Sequence, residues 1–286
     1  MSRVAAMRLP IATDLSGFVG LLRSLNVPYR VSEESGEQVL WVPGEELAEQ
    51  VRDLYTRFPH GNPEQPPSRF VRPSASPLAR LKRSPATAGV LLLTLIVAAL
   101  TFLGDNLASL RWLTFQDFRI QGDYLQFVPL AVSLDAGEWW RLVTPMLLHF
   151  GFLHLAMNAL WYWELGGRIE GRQGASMLLA LTLLFSLASN VGQYLFGGPA
   201  LFGGLSGVLY GLLGHCWIFQ RLAPNPAYQL PRGVLGMMLI WLLVCLSGVI
   251  GALGFGSIAN AAHVTGLIAG CATGLIGGLL ARRSLQ

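Results

Sequence analysis

Long uncharged apolar runs fill this chain beyond residue 85, the first of them starting near Ala86, and few water-soluble folds accommodate such runs. Only 13% of the residues are charged and 52% are hydrophobic, about half the charged share of an ordinary soluble domain. Most of the acids and bases fall within residues 1–85. The pattern therefore predicts a small soluble domain followed by a membrane domain. No apolar segment follows the arginines of Met1–Arg8, so the start does not read as a signal peptide.

Three units are expected. Residues 1–58 read as a compact cytoplasmic α/β domain. Asp14–Leu25 has helical periodicity with Thr13 or Asp14 as N-cap. Tyr29–Ser32 and Gln38–Val42 read as strands around the turn Glu33–Gly36, and Glu45–Phe58 is an amphipathic helix. Residues 59–85 form a linker punctuated by seven prolines (Pro59, Pro63, Pro66, Pro67, Pro73, Pro77 and Pro85), with a basic second half (Arg69, Arg72, Arg80, Lys82, Arg83) suited to an anionic leaflet. Residues 86–286 hold about six membrane spans, near 86–104, 146–167, 175–196, 205–221, 233–253 and 257–280. The fold class is an all-α polytopic membrane protein behind a small α/β domain. The aromatic-rich segment 105–145 is expected to lie half-immersed at the interface.

Charge sets the orientation. With a cytoplasmic N-terminus, the inner loops receive Arg80, Lys82 and Arg83, then Arg168 and Arg172, Arg221 and Arg232, and Arg282 and Arg283. The outer side receives only Arg111, Arg119 and Arg141, and the C-terminus returns to the cytoplasm. The formal charge of +4 is thereby explained by the membrane and not by a nucleic acid. Cys216, Cys245 and Cys271 sit in apolar runs without metal-ligand spacing, so neither a disulfide framework nor a metal is expected.

Polar groups inside spans are costly and mark candidate sites. Span two is read as carrying His149, His154 and Asn158 on one helix, with His154 and Asn158 four apart on one face. Span four opens with Ser206, one turn before Tyr210. Span six carries Asn260 and His263. Gly266, Gly270, Gly274 and Gly278 form a ridge in span six, and Gly203, Gly207 and Gly211 form one in span four. Ridges of small residues let backbones approach, and facing ridges would bring Ser206 and His263 to the same end. At ~1.5 Å per residue, Ser206 lies roughly 22 Å from the boundary at Arg221. Taken singly, each of these residues is more often a packing device or interhelical glue, and His215 and His149 are read as glue or as interfacial.

A serine hydroxyl needs a base, and His263 can serve while the spans offer no obvious buried carboxylate for a triad. Tyr210 is placed to orient the imidazole. His154, Asn158 and the Ser206 backbone N–H can donate to an oxyanion. Gly204-Leu205-Ser206-Gly207, His154-x-x-x-Asn158, Trp140-Arg141 and Ala262-His263-x-x-Gly266 occur together in one six-span frame. In this the chain resembles the rhomboid family of intramembrane serine proteases, in its bacterial type with a cytoplasmic N-terminal domain, over roughly residues 86–280. The resemblance implies a serine endopeptidase of the bacterial inner membrane that needs no cofactor. It implies single-span transmembrane proteins as substrates, cleaved within or near the span, with entry near span five. It gives the catalytic roles to Ser206 and His263 and the supporting ones to Gly204, Gly207, Tyr210, Trp140 and Arg141. The runner-up is a non-catalytic binding module or chaperone on the same fold. A transporter using the histidines is disfavoured by the lack of an internal repeat, and a metalloprotease by the lack of His-Glu-x-x-His.

Overall fold

The computed structural model describes residues 3–61, 81–231, 233–253 and 258–283. Contacts divide the chain into Met1–Ala79 and Arg80–Gln286. Most of the expected proline-rich linker, including Arg69, Arg72 and Arg80, lies outside the described residues, as does Arg232.

In the first unit, strands β1 (Arg3–Pro10), β2 (Arg30–Glu34) and β3 (Glu37–Pro43) form an antiparallel sheet in the order β1-β3-β2. Helices α1 (Ser16–Ser24) and α2 (Glu45–Arg57) complete it. Phe18, Leu22, Leu47, Val51 and Leu54 from the helices and Leu40 and Val42 from β3 make its core. The N-cap of α1 is Leu15, not Thr13 or Asp14; the Asp14 carboxylate instead accepts from the Ser16 N–H at 2.9 Å. Strand β1 was not expected. Its Arg-Val-Ala-Ala-Met-Arg-Leu sequence has little strand propensity, and pairing with a segment some thirty residues away supplies what propensity lacks.

The second unit is mainly helical. Its principal helices are α3 (Pro85–Leu100), α6 (Phe152–Gln173), α7 (Ala175–Gly197), α8 (Ser206–Leu222), α9 (Val234–Leu246) and α11 (Asn260–Arg283). Short helices α4 (Leu107–Leu110), α5 (Leu130–Asp135) and α10 (Val249–Ala252) sit between them, and β4 (Phe118–Gln121) and β5 (Tyr124–Phe127) form a hairpin. Among the described residues, α7 and α11 are long and apolar enough to cross a membrane, while α3 and α9 are shorter apolar helices.

Helix α8 is buried without a break from Gly207 to Cys216, so it is the core of the unit. Residues facing away from the core on the outer helices are apolar and exposed: Leu92 and Leu95 on α3, Ile240 and Leu243 on α9, Ile268 and Ile276 on α11. Water would penalise such a surface, and lipid would not. Tyr162 of α6 bonds Thr182 of α7 at 2.8 Å between hydroxyls.

Several boundaries differ from the sequence reading. The first span helix ends at Leu100, because Phe102 and Leu103 adopt positive φ. The second starts at Phe152, since Thr144–Leu147 closes as a 3-10 turn and Gly151 (φ +110°) redirects the chain. His149 therefore lies before α6 and does not share a helix with His154 and Asn158. The fifth stops at Leu246 and resumes only as α10, past left-handed Gly248. The segment 105–145 is folded about Arg141, which is 1% exposed. Its guanidinium donates to Glu138 at 2.6 Å and to the carbonyls of Arg111 and Thr114.

A carboxylate also proves to be buried. Glu170 of α6 accepts from the Ala86 and Thr87 N–H groups at 2.8 Å each and from the Thr87 hydroxyl at 2.7 Å. These are orphan donors of the first turn of α3, so a side chain from another helix supplies the cap that Ser84 does not.

Candidate active site

Ser206 is the first residue of α8, and two features of its approach hold it there. The Gly204 N–H donates to the Pro145 carbonyl at 3.0 Å, pinning the strand-like segment before the helix. Gly204 itself has φ +115°, and a Cβ there would stand 2.7 Å from His154 Nε2. Both the backbone conformation and the lack of space demand glycine. At the helix start, the N–H groups of the first turn have no intrahelical acceptor and carry the positive end of the helix dipole.

Helices α8 and α11 meet along their glycines. A Cβ on Gly266 would fall on the Gly207 carbonyl oxygen, and one on Gly270 on the Gly211 carbonyl oxygen. One on Gly274 would stand 2.6 Å from the His215 carbonyl oxygen. Gly203, expected on this ridge, is not part of it. It precedes the helix, and a Cβ there would meet Leu148 and the Pro145 carbonyl. The ridge of α8 runs instead through Gly207, Gly211 and the Gly214–His215 backbone.

That close approach carries His263, the fourth residue of α11, onto Ser206. His263 Nε2 lies 2.8 Å from Ser206 Oγ. His263 is 6% exposed, and its Nδ1 has no hydrogen-bond partner among the described residues. The ring is held by packing instead. Tyr210, one turn after Ser206, lies with its ring centroid 5.0 Å from the imidazole at 44°, while its hydroxyl donates to the Met238 carbonyl of α9 at 3.0 Å.

His154 and Asn158 converge on the same place from α6. Asn158, 4% exposed, donates one amide N–H to the His154 carbonyl at 2.9 Å, which leaves the second without a partner among the described residues. Gly204 faces both side chains, His154 Nε2 and, 3.7 Å from a hypothetical Cβ, Asn158 Nδ2. His149 is fully buried, its ring 5.0 Å from that of His154. Trp140 Nε1 donates to the Trp112 carbonyl at 2.9 Å, and Arg141 organises the loop already described. His215 is bonded to Thr273 of α11 at 3.1 Å, away from Ser206.

The sequence reading missed one polar wall. Thr182, Ser186, Ser189, Asn190 and Gln193 of α7 are all buried. Ser186 and Asn190 donate to the carbonyls of Val143 and Leu142, and Gln193 accepts from the Ala262 N–H at 3.1 Å. Ser186, Ser189 and Asn190 line a small cavity beside Ser206 and Gly207, with room for about one water molecule. The signal was legible: positions 182, 186, 189 and 193 recur at helical spacing in an otherwise apolar run.

Chemically, the arrangement joins a hydroxyl hydrogen-bonded to an imidazole, free donors on two sides, and a polar recess that can hold water. Among the described residues no cluster of three or more potential ligands could hold a metal ion.

Comparison with known proteins points to one family. A family model described as the Rhomboid domain matches residues 136–279, and one described as the Rhomboid N-terminal domain matches residues 1–69. The chain is similar to the rhomboid protease GlpG of Yersinia pestis (strain Pestoides F), 39% identical over 191 residues, a match covering 67% of this chain and 62% of that protein. It is likewise similar to the rhomboid protease GlpG of Serratia proteamaculans (strain 568), 41% identical over 192 residues, with the same shares covered. The chain thus spans 62% of the length of these relatives.

Proposed function

Because the chain belongs to the rhomboid family, we propose that it is an intramembrane serine endopeptidase with Ser206 as nucleophile and His263 as general base. The observation that carries this reading is the 2.8 Å contact between Ser206 Oγ and His263 Nε2. In this mechanism Ser206 Oγ attacks the scissile carbonyl carbon as His263 Nε2 takes its proton. The imidazolium then protonates the amine nitrogen as the C–N bond breaks, leaving an acyl-serine. A water, deprotonated by His263, attacks the ester carbon, and Ser206 leaves with the proton returned to it. The Ser206 N–H, with the side chains of His154 and Asn158, holds the oxyanion of each tetrahedral intermediate. Water is a substrate inside a hydrocarbon phase, and the polar recess walled by α7 is where it would wait.

The membrane frame is read from the same residues. Helices α3, α6, α7, α8, α9 with α10, and α11 are the six spans. Both termini face the cytoplasm of a bacterial inner membrane, with residues 1–58 as the cytoplasmic domain, residues 59–85 as the linker and the Ser206 end of α8 on the outer side. Substrates are single-span membrane proteins, because only a chain already in the bilayer readily reaches a half-buried serine set among apolar helices. The relatives named rhomboid protease support the reaction class.

The test is covalent. A fluorophosphonate should modify Ser206 in the purified protein, located by peptide mass spectrometry, and both Ser206→Ala and His263→Ala should abolish cleavage of a model transmembrane substrate while remaining folded. Full cleavage by either variant overturns the reading.

A further inference from the structure

His149 is fully buried, yet only one of its ring nitrogens has a partner among the described residues. Nδ1 lies 3.2 Å from the Leu147 carbonyl oxygen. A carbonyl only accepts, so Nδ1 carries the proton and Nε2 keeps a bare lone pair. The chain brings this nitrogen to the site by a turn. Five residues apart on one helix, His149 and His154 would point about 140° away from each other. The reversal at Gly151 (φ +110°) instead sets their rings 5.0 Å apart at 52°. His154 turns its Nε2 toward Gly204, two residues before Ser206. Among the described residues no hydrogen bond holds the His154 ring, and the two imidazoles, though adjacent, are not bonded to each other.

We propose that His149 is a positioning residue for the reaction: its bare Nε2, through one shared water, fixes the orientation and tautomer of His154 as an oxyanion donor. The inference rests on the protease reading, in which His154 donates to the oxyanion. To donate from Nε2, a neutral His154 carries its proton there and leaves Nδ1 bare. Two bare nitrogens, His149 Nε2 and His154 Nδ1, cannot bond each other, which agrees with the lack of a direct bond between the rings. Water has two O–H donors, one for each nitrogen, and a buried water needs at least two such polar partners. The tautomer of an imidazole is set by the hydrogen bond that its other nitrogen makes. A water donating to Nδ1 of His154 therefore holds the proton on Nε2, on the side of Gly204 and Ser206. The Leu147 carbonyl does the same for His149, one step further from the reacting atoms.

Two variants of the full chain test this in detergent. His149→Phe keeps a flat ring and removes the acceptor, and His149→Gln places a carbonyl oxygen near the position of Nε2. His149→Leu replaces the Phe variant if that one does not fold. In cleavage of a model transmembrane substrate, His149→Phe should lower kcat about tenfold with KM unchanged, less than the ~10²–10³ lost with an oxyanion donor itself. His149→Gln should recover most of that loss. In a His154→Ala background His149→Phe should have no further effect, because the residue it positions is gone. Nitrogen-15 shifts of the His154 imidazole, assigned by their loss in His154→Ala, read the tautomer without substrate. They should report a proton on Nε2 in the native protein and a mixture of tautomers in His149→Phe. An equal kcat loss in the native and His154→Ala backgrounds overturns the proposal, since His149 would then serve the fold. So does a native His154 protonated on Nδ1, or a tautomer that His149→Phe leaves unchanged. Failure of native Ser206 to label with a fluorophosphonate would instead count against the protease reading, while the nitrogen shifts still judge the positioning.

Discussion

Gly266 of α11 stands against the carbonyl of Gly207 on α8 with no room for a Cβ between them. This contact lies within one turn of both members of the proposed catalytic pair: Gly207 directly follows Ser206, and Gly266 lies three residues after His263. The separation of two helix backbones thus sets a side-chain distance. A helix pair held by leucines would sit wider apart, and the imidazole would not reach the hydroxyl.

Gly266→Ala should therefore cost more activity than its single methyl suggests. Overpacking of this kind costs about 1–3 kcal/mol in stability, and a shift of about 1 Å at a reacting pair costs roughly a hundredfold in rate. Gly270→Leu, one turn further from the dyad, should lower thermal stability in detergent at least as much. Melting temperatures measured beside turnover check this. Wild-type values of both in both variants would mean that the helices have another way to pack.

Asn158→Ala should reduce turnover by ~10²–10³, about 3–4 kcal/mol of transition-state stabilisation, with residual cleavage because the Ser206 N–H remains. His154→Ala should be impaired but still labelled at Ser206 by a fluorophosphonate. If Asn158 acts only as glue between helices, melting temperature should fall before activity does, and the two measurements on one preparation separate the cases.

Glu170→Ala should destabilise the membrane unit without touching the chemistry. Losing an N-cap acceptor costs about 0.5–2 kcal/mol, and about 1–3 kcal/mol where a donor left unpaired is buried, as the Thr87 N–H is. Glu170→Gln keeps one acceptor oxygen and should lose less. Thermal unfolding in detergent should rank native above Gln above Ala, with fluorophosphonate labelling preserved below the transition. The reverse order for Gln and Ala would show that the cap is not the operative contact.

A chain beginning at Arg80 should keep Ser206 labelling comparable to the full protein. Residues 3–61 have their own hydrophobic core and carry none of the residues assigned to the site. Loss of labelling in a truncated chain that still melts cooperatively would give the first unit a part in the chemistry.

Much of this site is legible in the sequence, for a local reason. A serine, an asparagine or a histidine inside an apolar run is expensive wherever the run goes, so Ser206, His154, Asn158 and His263 declare themselves by their neighbours in sequence. Glycine spacing on α11 and the second half of the ridge on α8 were likewise properties of single segments. The polar face of α7 was as legible by the same rule, and periodicity at 182, 186, 189 and 193 would have found it.

The tertiary structure decided what depends on a partner far along the chain. Strand β1 exists because β3 accepts it, whatever its own propensity. Glu170 looks like a surface charge at the end of a span until α3 is seen to bring its N-terminal donors to it. Arg141 reads in sequence as a motif residue of the first loop, and only the fold shows which carbonyls and carboxylate its guanidinium ties together. His149 leaves the helix of His154 because Gly151 turns the chain between them. Gly203 leaves the ridge because the Pro145 turn lies against it. Apolar runs and costly polar residues are set by the free energy of transferring each segment out of water, a sum over local residues. Which hydroxyl meets which imidazole is set by the closest approach of two backbones, and that distance exists only once the helices have packed.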